Sequence, residues 1–184
     1  MIELVVAAQE LQSCLESRGW KFCFIGGLAL QHWGEQRVTR DVDATLVTGF
    51  GAEEPFIDAL LSRFRGRLPD TRLFALRNRV LLLESSAGIP LDIALGGLPF
   101  ESEVASRATR VEFAPGCPLL ICSAEDLVVM KAFADRPRDW VDIEGILIRQ
   151  EGRLDWGYIT TQLTPLAKAK EAPGIVARLE AMRR

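Results

Sequence analysis

The 184-residue chain has no apolar run long enough to cross a bilayer, no CxxC spacing among its cysteines, no repeats or low-complexity segments, and a single histidine. Each absence removes a class of protein. A membrane-spanning helix needs about 20 consecutive apolar residues, and the acidic, amphipathic start MIELVVAAQELQSCLES does not read as a signal peptide. The expectation is a cytoplasmic protein with no membrane partner. Cys14, Cys23, Cys117 and Cys122 imply neither a zinc site nor a disulfide framework. Those within apolar strand patterns read as small packed hydrophobes. His32, the lone histidine, falls in a short helix near Leu28 and Trp33 and reads as packed or capping rather than as a catalytic base. Excess positive charge is missing too. A net charge of −3 and a pI near 5.3 argue against coating nucleic acid by bulk electrostatics.

What remains is ordinary globular material, 48% hydrophobic and 26% charged, long enough to bury a core. The informative stretch is residues 26–43, GGLALQHWGEQRVTRDVD. Its two glycines end the strand-like run KFCFI, and Asp41 and Asp43 open the strand-like run VDATLV. Carboxylates at i and i+2 of a strand share a face, with Cβ atoms roughly 6.5–7 Å apart, so the pair can grip a divalent cation. Hard oxygen ligands that hold Mg²⁺ against a triphosphate suit phosphoryl or nucleotidyl transfer. Alone, Asp-x-Asp more often marks a solvated face or a turn cap. The flanking apolar runs add weight, because they put glycines and acids at strand ends facing a common edge.

Helical periodicity covers residues 3–18 through Leu4, Val5, Ala8, Leu11 and Leu15, with Gly19 as the stop. After the short helix LALQHW and the aspartate strand, Glu53 to Phe64 reads as a second amphipathic helix with Pro55 in its first turn. RVLLLES and IPLDIAL flank the turn Ser86-Ala87-Gly88 and predict an antiparallel hairpin. In its second strand Leu91 and Ile93 face one way and Asp92 the other. Asp92 is therefore either a third site carboxylate or an outward-facing acid. TRVEF and PLLICS extend the sheet, and the last third is helical. One helix is capped by Ser123, the next starts near Pro137 with Asp139 and Asp142 on one face, and others follow Asp155 and Thr164 with Pro165 and Pro173 in first turns. The fold class is α/β of the α+β type, a mixed sheet flanked by helices over residues 1–122 with a helical segment over 123–184. Arg63, Arg65, Arg67, Arg72, Arg77 and Arg79 face only Asp70 within their stretch, so the strip reads either as a solvated surface or as a phosphate-binding patch. Trp33, Trp140 and Trp156 read as packing residues.

The order Gly-Gly, helix, Thr39-Arg40-Asp41-Val42-Asp43, a later strand aspartate and a lysine-bearing helix resembles the DNA polymerase β-like nucleotidyltransferase superfamily, most closely its minimal AbiEii-type members, over roughly residues 20–150. The resemblance implies a Mg²⁺-dependent transfer of a nucleoside monophosphate from a nucleoside triphosphate to an acceptor hydroxyl. It places Gly26 and Gly27 at the triphosphate, Asp41 and Asp43 on the metals, and Asp92 as third metal carboxylate and activator of the acceptor. Within DLVVMKAFADRPRDWVDI, Lys131 matches the lysine that meets phosphate oxygens and Asp139 the aspartate that positions the substrate. Arg40 joins the nucleotide-binding set as a phosphate ligand. Many relatives have serine after the two glycines; here the residue is Leu28. The acceptor implied is an RNA such as a tRNA end, or a protein, with an antitoxin as possible partner. A small-molecule antibiotic acceptor and an inactive binding module stay open beside it.

Overall fold

The computed structural model of the protein describes residues 2–183. In chain order the elements are α1 (Ile2–Glu16), β1 (Phe22–Phe24), α2 (Gly26–Trp33), β2 (Val42–Val47), α3 (Glu54–Leu61), β3 (Arg65–Gly66), α4 (Thr71–Asn78), β4 (Val80–Glu84), β5 (Pro90–Gly96), α5 (Pro99–Arg107), β6 (Thr109–Glu112) and β7 (Pro118–Ile121). They continue with α6 (Ala124–Ala134), α7 (Pro137–Arg149), α8 (Trp156–Ala169) and α9 (Gly174–Ala181). These described residues divide into two compact units, 2–28 with 38–122 and 29–37 with 123–183. No helix among them is long and apolar enough to cross a membrane.

The first unit is built on a mixed sheet in the order β3-β4-β5-β2-β1-β7-β6. At its centre β2 runs parallel to β5 and antiparallel to β1, while β4 and β5 form the predicted hairpin. Strand alternation separates two faces. Leu81, Leu83, Leu91, Ile93, Val42, Ala44 and Leu46 are fully buried on one, and Leu82, Asp92, Ala94 and Asp43, which alternate with them, are only half-buried on the other. Helix α5 packs on β2. A Cβ built on Gly96 would lie 3.1 Å from Glu101 Cβ and 3.3 Å from Thr45 Cγ2, so α5 closes over the far ends of β2 and β5. The near ends, with Asp43 and Asp92, stay open. Helix α1 is fastened to β7 by the buried Gln12, which donates to the Pro118 carbonyl (3.0 Å) and accepts from the Leu120 amide (2.9 Å).

The second unit is helical. Ser123 caps α6 by accepting from the Asp126 amide at 3.1 Å, and the fully buried Asp126 also accepts from the Tyr158 hydroxyl at 2.6 Å. One expectation fails here. Pro165 does not open a new helix but lies inside α8, which runs unbroken from Trp156 to Ala169. Leu163 and Ala167 are buried on either side of it, so packing outweighs the backbone bond that proline forfeits. The Thr164 hydroxyl donates to the Thr160 carbonyl (2.7 Å), keeping that turn bonded. Pro173 stands at the N-cap of α9.

Candidate active site

The first unit gathers one acidic row. Asp43 and Asp92 are direct register partners across the parallel β2–β5 pair, so their side chains leave the sheet on the same open face. Asp41 was expected inside the strand with Asp43, but β2 begins at Val42. Asp41 sits in a bend just before it, where the Thr39 hydroxyl donates to its carboxylate at 2.9 Å. A side-chain bond rather than a ladder bond therefore orients this acid.

The two glycines are explained by this row. Gly26 has φ +56°, which turns β1 directly into α2, and a Cβ there would lie 2.1 Å from Asp43 Oδ2. A Cβ on Gly27 would lie 2.2 Å from Thr39 Oγ1. The Gly27 amide points at Asp43 Oδ2 across a long 3.4 Å contact. Bare backbone at the start of α2 thus lets Asp43 and Thr39 close in. Thr39 is a site residue that spacing does not reveal, although its place two residues before Asp41 is the signal. Leu28 is fully buried; its side chain belongs to the core, not to the open face.

Arg67 forms an ion pair with Asp92, both side chains being about a third exposed (30% and 33%). Burial pushes the Asp92 carboxyl above its ordinary range, Arg67 pulls it back and Asp41 pushes it up again. Asp41 and Asp92 therefore feel each other's charge. The rest of the arginine strip is largely spent locally: Arg63 on Glu10 (3.3 Å), Arg65 on Glu84 (2.5 Å), Arg72 on Glu54 (2.6 Å) and Asp58 (2.7 Å), and Arg79 on Glu53. Arg40 is exposed.

The donor set suits a hard divalent cation, since Asp43 and Asp92 are register-paired carboxylates and the charge of Asp41 reaches Asp92. No three acidic, histidine or cysteine side chains among the described residues form a ready-made metal cage. Asp41, Asp43 and Asp92 are instead turned toward Thr39, the Gly27 amide and Arg67 respectively.

The other two expected site residues lie in the second unit. Lys131 is buried and donates to Asp142 at 2.7 Å and to Asp139 at 3.4 Å. Arg37 reaches Asp142 (3.3 Å) and Arg136 reaches Asp139 (2.5 Å), so acids and bases alternate along one chain of contacts. Burial pulls the Asp139 carboxyl up, but hydrogen bonds and charge from Arg136 and Lys131 outweigh it and hold the group below its ordinary range. His32 stacks edge-on against Trp33 at 4.2 Å, and burial followed by the Arg149 charge lowers its pKa. That is a packed histidine, as expected. Trp140 is buried, donates to Asp135 (2.7 Å) and carries the Arg178 guanidinium on its ring at 4.0 Å.

Solved structures share this mixed-sheet fold. The antibiotic-resistance factor ANT(2'')-Ia in solution aligns with a TM-score of 0.54 at 16% identity, over 91% of this chain and 93% of that one. ANT(2'')-Ia in complex with adenylyl-2''-tobramycin gives 0.46 at 16% identity over 96% and 97%. A nucleotidyltransferase-like antigen from Paracoccidioides brasiliensis gives 0.46 at 16% over 100% and 93%. No curated protein matches the chain. Residues 15–163 match the family described as nucleotidyl transferase AbiEii toxin, type IV TA system, and the protein belongs to that family of nucleotidyltransferases.

Proposed function

We propose that the protein moves a nucleoside monophosphate from a nucleoside triphosphate to an acceptor hydroxyl in the cytoplasm, releasing pyrophosphate, with Mg²⁺ as the cofactor. The observation that carries the reading is the register pairing of Asp43 with Asp92 on an open sheet face, with Asp41 beside them. Asp41, Asp43 and Asp92 would hold the metal, and Asp92 takes the proton of the acceptor hydroxyl as its oxygen attacks the α-phosphorus and pyrophosphate leaves. Bound Mg²⁺ would supply positive charge to the triphosphate oxygens. Thr39 fixes the Asp41 carboxylate. Amides of Gly26 and Gly27 and the side chain of Arg40 bind and orient the nucleotide. Positioning and electrostatics do the work, without a covalent intermediate on the protein.

Family membership favours an RNA end, as in tRNA, or a protein hydroxyl as acceptor, and a toxin role opposed by an antitoxin. The test is to incubate the protein with each labelled triphosphate, Mg²⁺, total RNA and lysate protein, and to identify which macromolecule is labelled. Asp41→Ala or Asp43→Ala should abolish labelling while the circular dichroism spectrum stays that of the parent. Full labelling by either variant would sink the assignment. An RNA acceptor should bind with a steep loss of affinity as salt rises, and a small molecule should not.

A further inference from the structure

Of the arginines between Ser62 and Val80, Arg67 is the one paired with an acid of the open row. The acids that hold Arg63, Arg65, Arg72 and Arg79 lie elsewhere and tie helices and strands to one another. Arg67 is also placed with care. Its amide donates to the Leu82 carbonyl at 3.1 Å, Leu82 is the register partner of Asp92, and Asp92 is the register partner of Asp43. Arg67, Leu82, Asp92 and Asp43 therefore form one line across four neighbouring segments. The backbone at Arg67 is pinned, and its side chain, about a third exposed, reaches Asp92 on that face.

We propose that Arg67 is a placeholder cation: it neutralises Asp92 until a divalent ion takes that carboxylate, and its released guanidinium then binds a phosphate of the incoming nucleoside triphosphate. This rests on the metal and nucleotide site proposed above. Two physical facts support the exchange. An ion pair exposed to this degree is weak, and a divalent cation shared by several carboxylates outcompetes it. The planar guanidinium fork also matches two phosphate oxygens as well as it matches a carboxylate. The swap keeps charge balanced at each stage, because the ion arrives as the arginine leaves and the nucleotide brings the anion that receives it.

The experiment has two readouts that need no turnover. Mn²⁺ alone is titrated into the parent, Arg67→Ala, Arg67→Gln, Asp41→Asn and Asp43→Asn, and free Mn²⁺ is followed by electron paramagnetic resonance. A non-hydrolysable triphosphate is then titrated calorimetrically at saturating Mn²⁺. Both Arg67 variants should bind Mn²⁺ about fivefold more tightly, the competitor having gone. Both should bind the triphosphate about tenfold or more weakly, the phosphate ligand having gone. Mn²⁺ affinity that is unchanged or weaker in folded Arg67 variants overturns the placeholder, as does unchanged triphosphate affinity. The underlying site is judged separately. If the parent binds Mn²⁺ no better than Asp41→Asn and Asp43→Asn, the metal site itself fails; if those variants lose Mn²⁺ while the Arg67 variants bind it no more tightly than the parent, the site stands and only the role of Arg67 falls.

Discussion

Two of the protein's clusters of acids and bases, one in each unit, differ in their exposure to solvent. In the first unit Asp43 and Asp92 are register partners, Thr39 holds Asp41, and the paired Asp92 and Arg67 are each about a third exposed. In the second unit Lys131, Asp139 and Asp142 are buried, and Arg37 and Arg136 close the chain of contacts at its ends. Solvent reaches the first cluster, and the second is dry. Carboxylates in reach of solvent can take up a cation, whereas buried ion pairs fix the helices that carry them.

The strongest way to break this contrast is Lys131→Met. Removing the ammonium leaves Asp139 and Asp142 buried with only their outer arginines, and unfolding in urea should show a loss of about 3–5 kcal/mol. A variant as stable as the parent would mean that the second cluster does not brace α6 and α7. Gly26→Ala tests the first cluster from the backbone side. Alanine must adopt φ near +56° with its Cβ against Asp43, at a cost of roughly 1–3 kcal/mol. Displacing that carboxylate should slow nucleotidyl transfer about 10²-fold. Parental rates in the variant would show that the close approach of Asp43 to the α2 start has no bearing on chemistry.

The smallest effect expected is on pH dependence. Asp139 titrates below its unfolded value, so its contribution to stability is present above the ordinary carboxylate range and is lost as the pH falls through its folded pKa. The stability advantage of the parent over Asp139→Asn should therefore shrink on acidification from neutral pH. Thermal midpoints of both proteins across the acidic range measure it; an advantage that grows as pH falls contradicts the assignment.

The elements that frame the site were legible because their signals are local. Alternation in VDATLV and IPLDIAL gives two strands and the facing of Asp92, and the Ser86-Ala87-Gly88 turn gives the hairpin. Pairings across long stretches of chain were not. Nothing in the spacing of Arg67 distinguishes it from Arg65 or Arg72, because its partner lies 25 residues away and the register that aligns them is set by the hairpin. The same holds for the glycines. Their pattern suggests a nucleotide loop, but the atoms that forbid a side chain on Gly26 belong to Asp43 and those on Gly27 to Thr39. Pro165 misled for the opposite reason: its local rule is sound, and burial around it overrides that rule.

The β4–β5 hairpin carries one more consequence, which concerns parity. Asp92 is two residues into β5, between the inward-facing Leu91 and Ile93. Gaining or losing one residue between Pro90 and Asp92 would exchange the faces, sending leucine outward and the carboxylate into the core. The turn before Pro90 can change length with little consequence for the acid, but the first residues of the strand can change only in steps of two. The turn is thus where a change of length is tolerated, and the even spacing that follows it is what keeps Asp43 and Asp92 side by side.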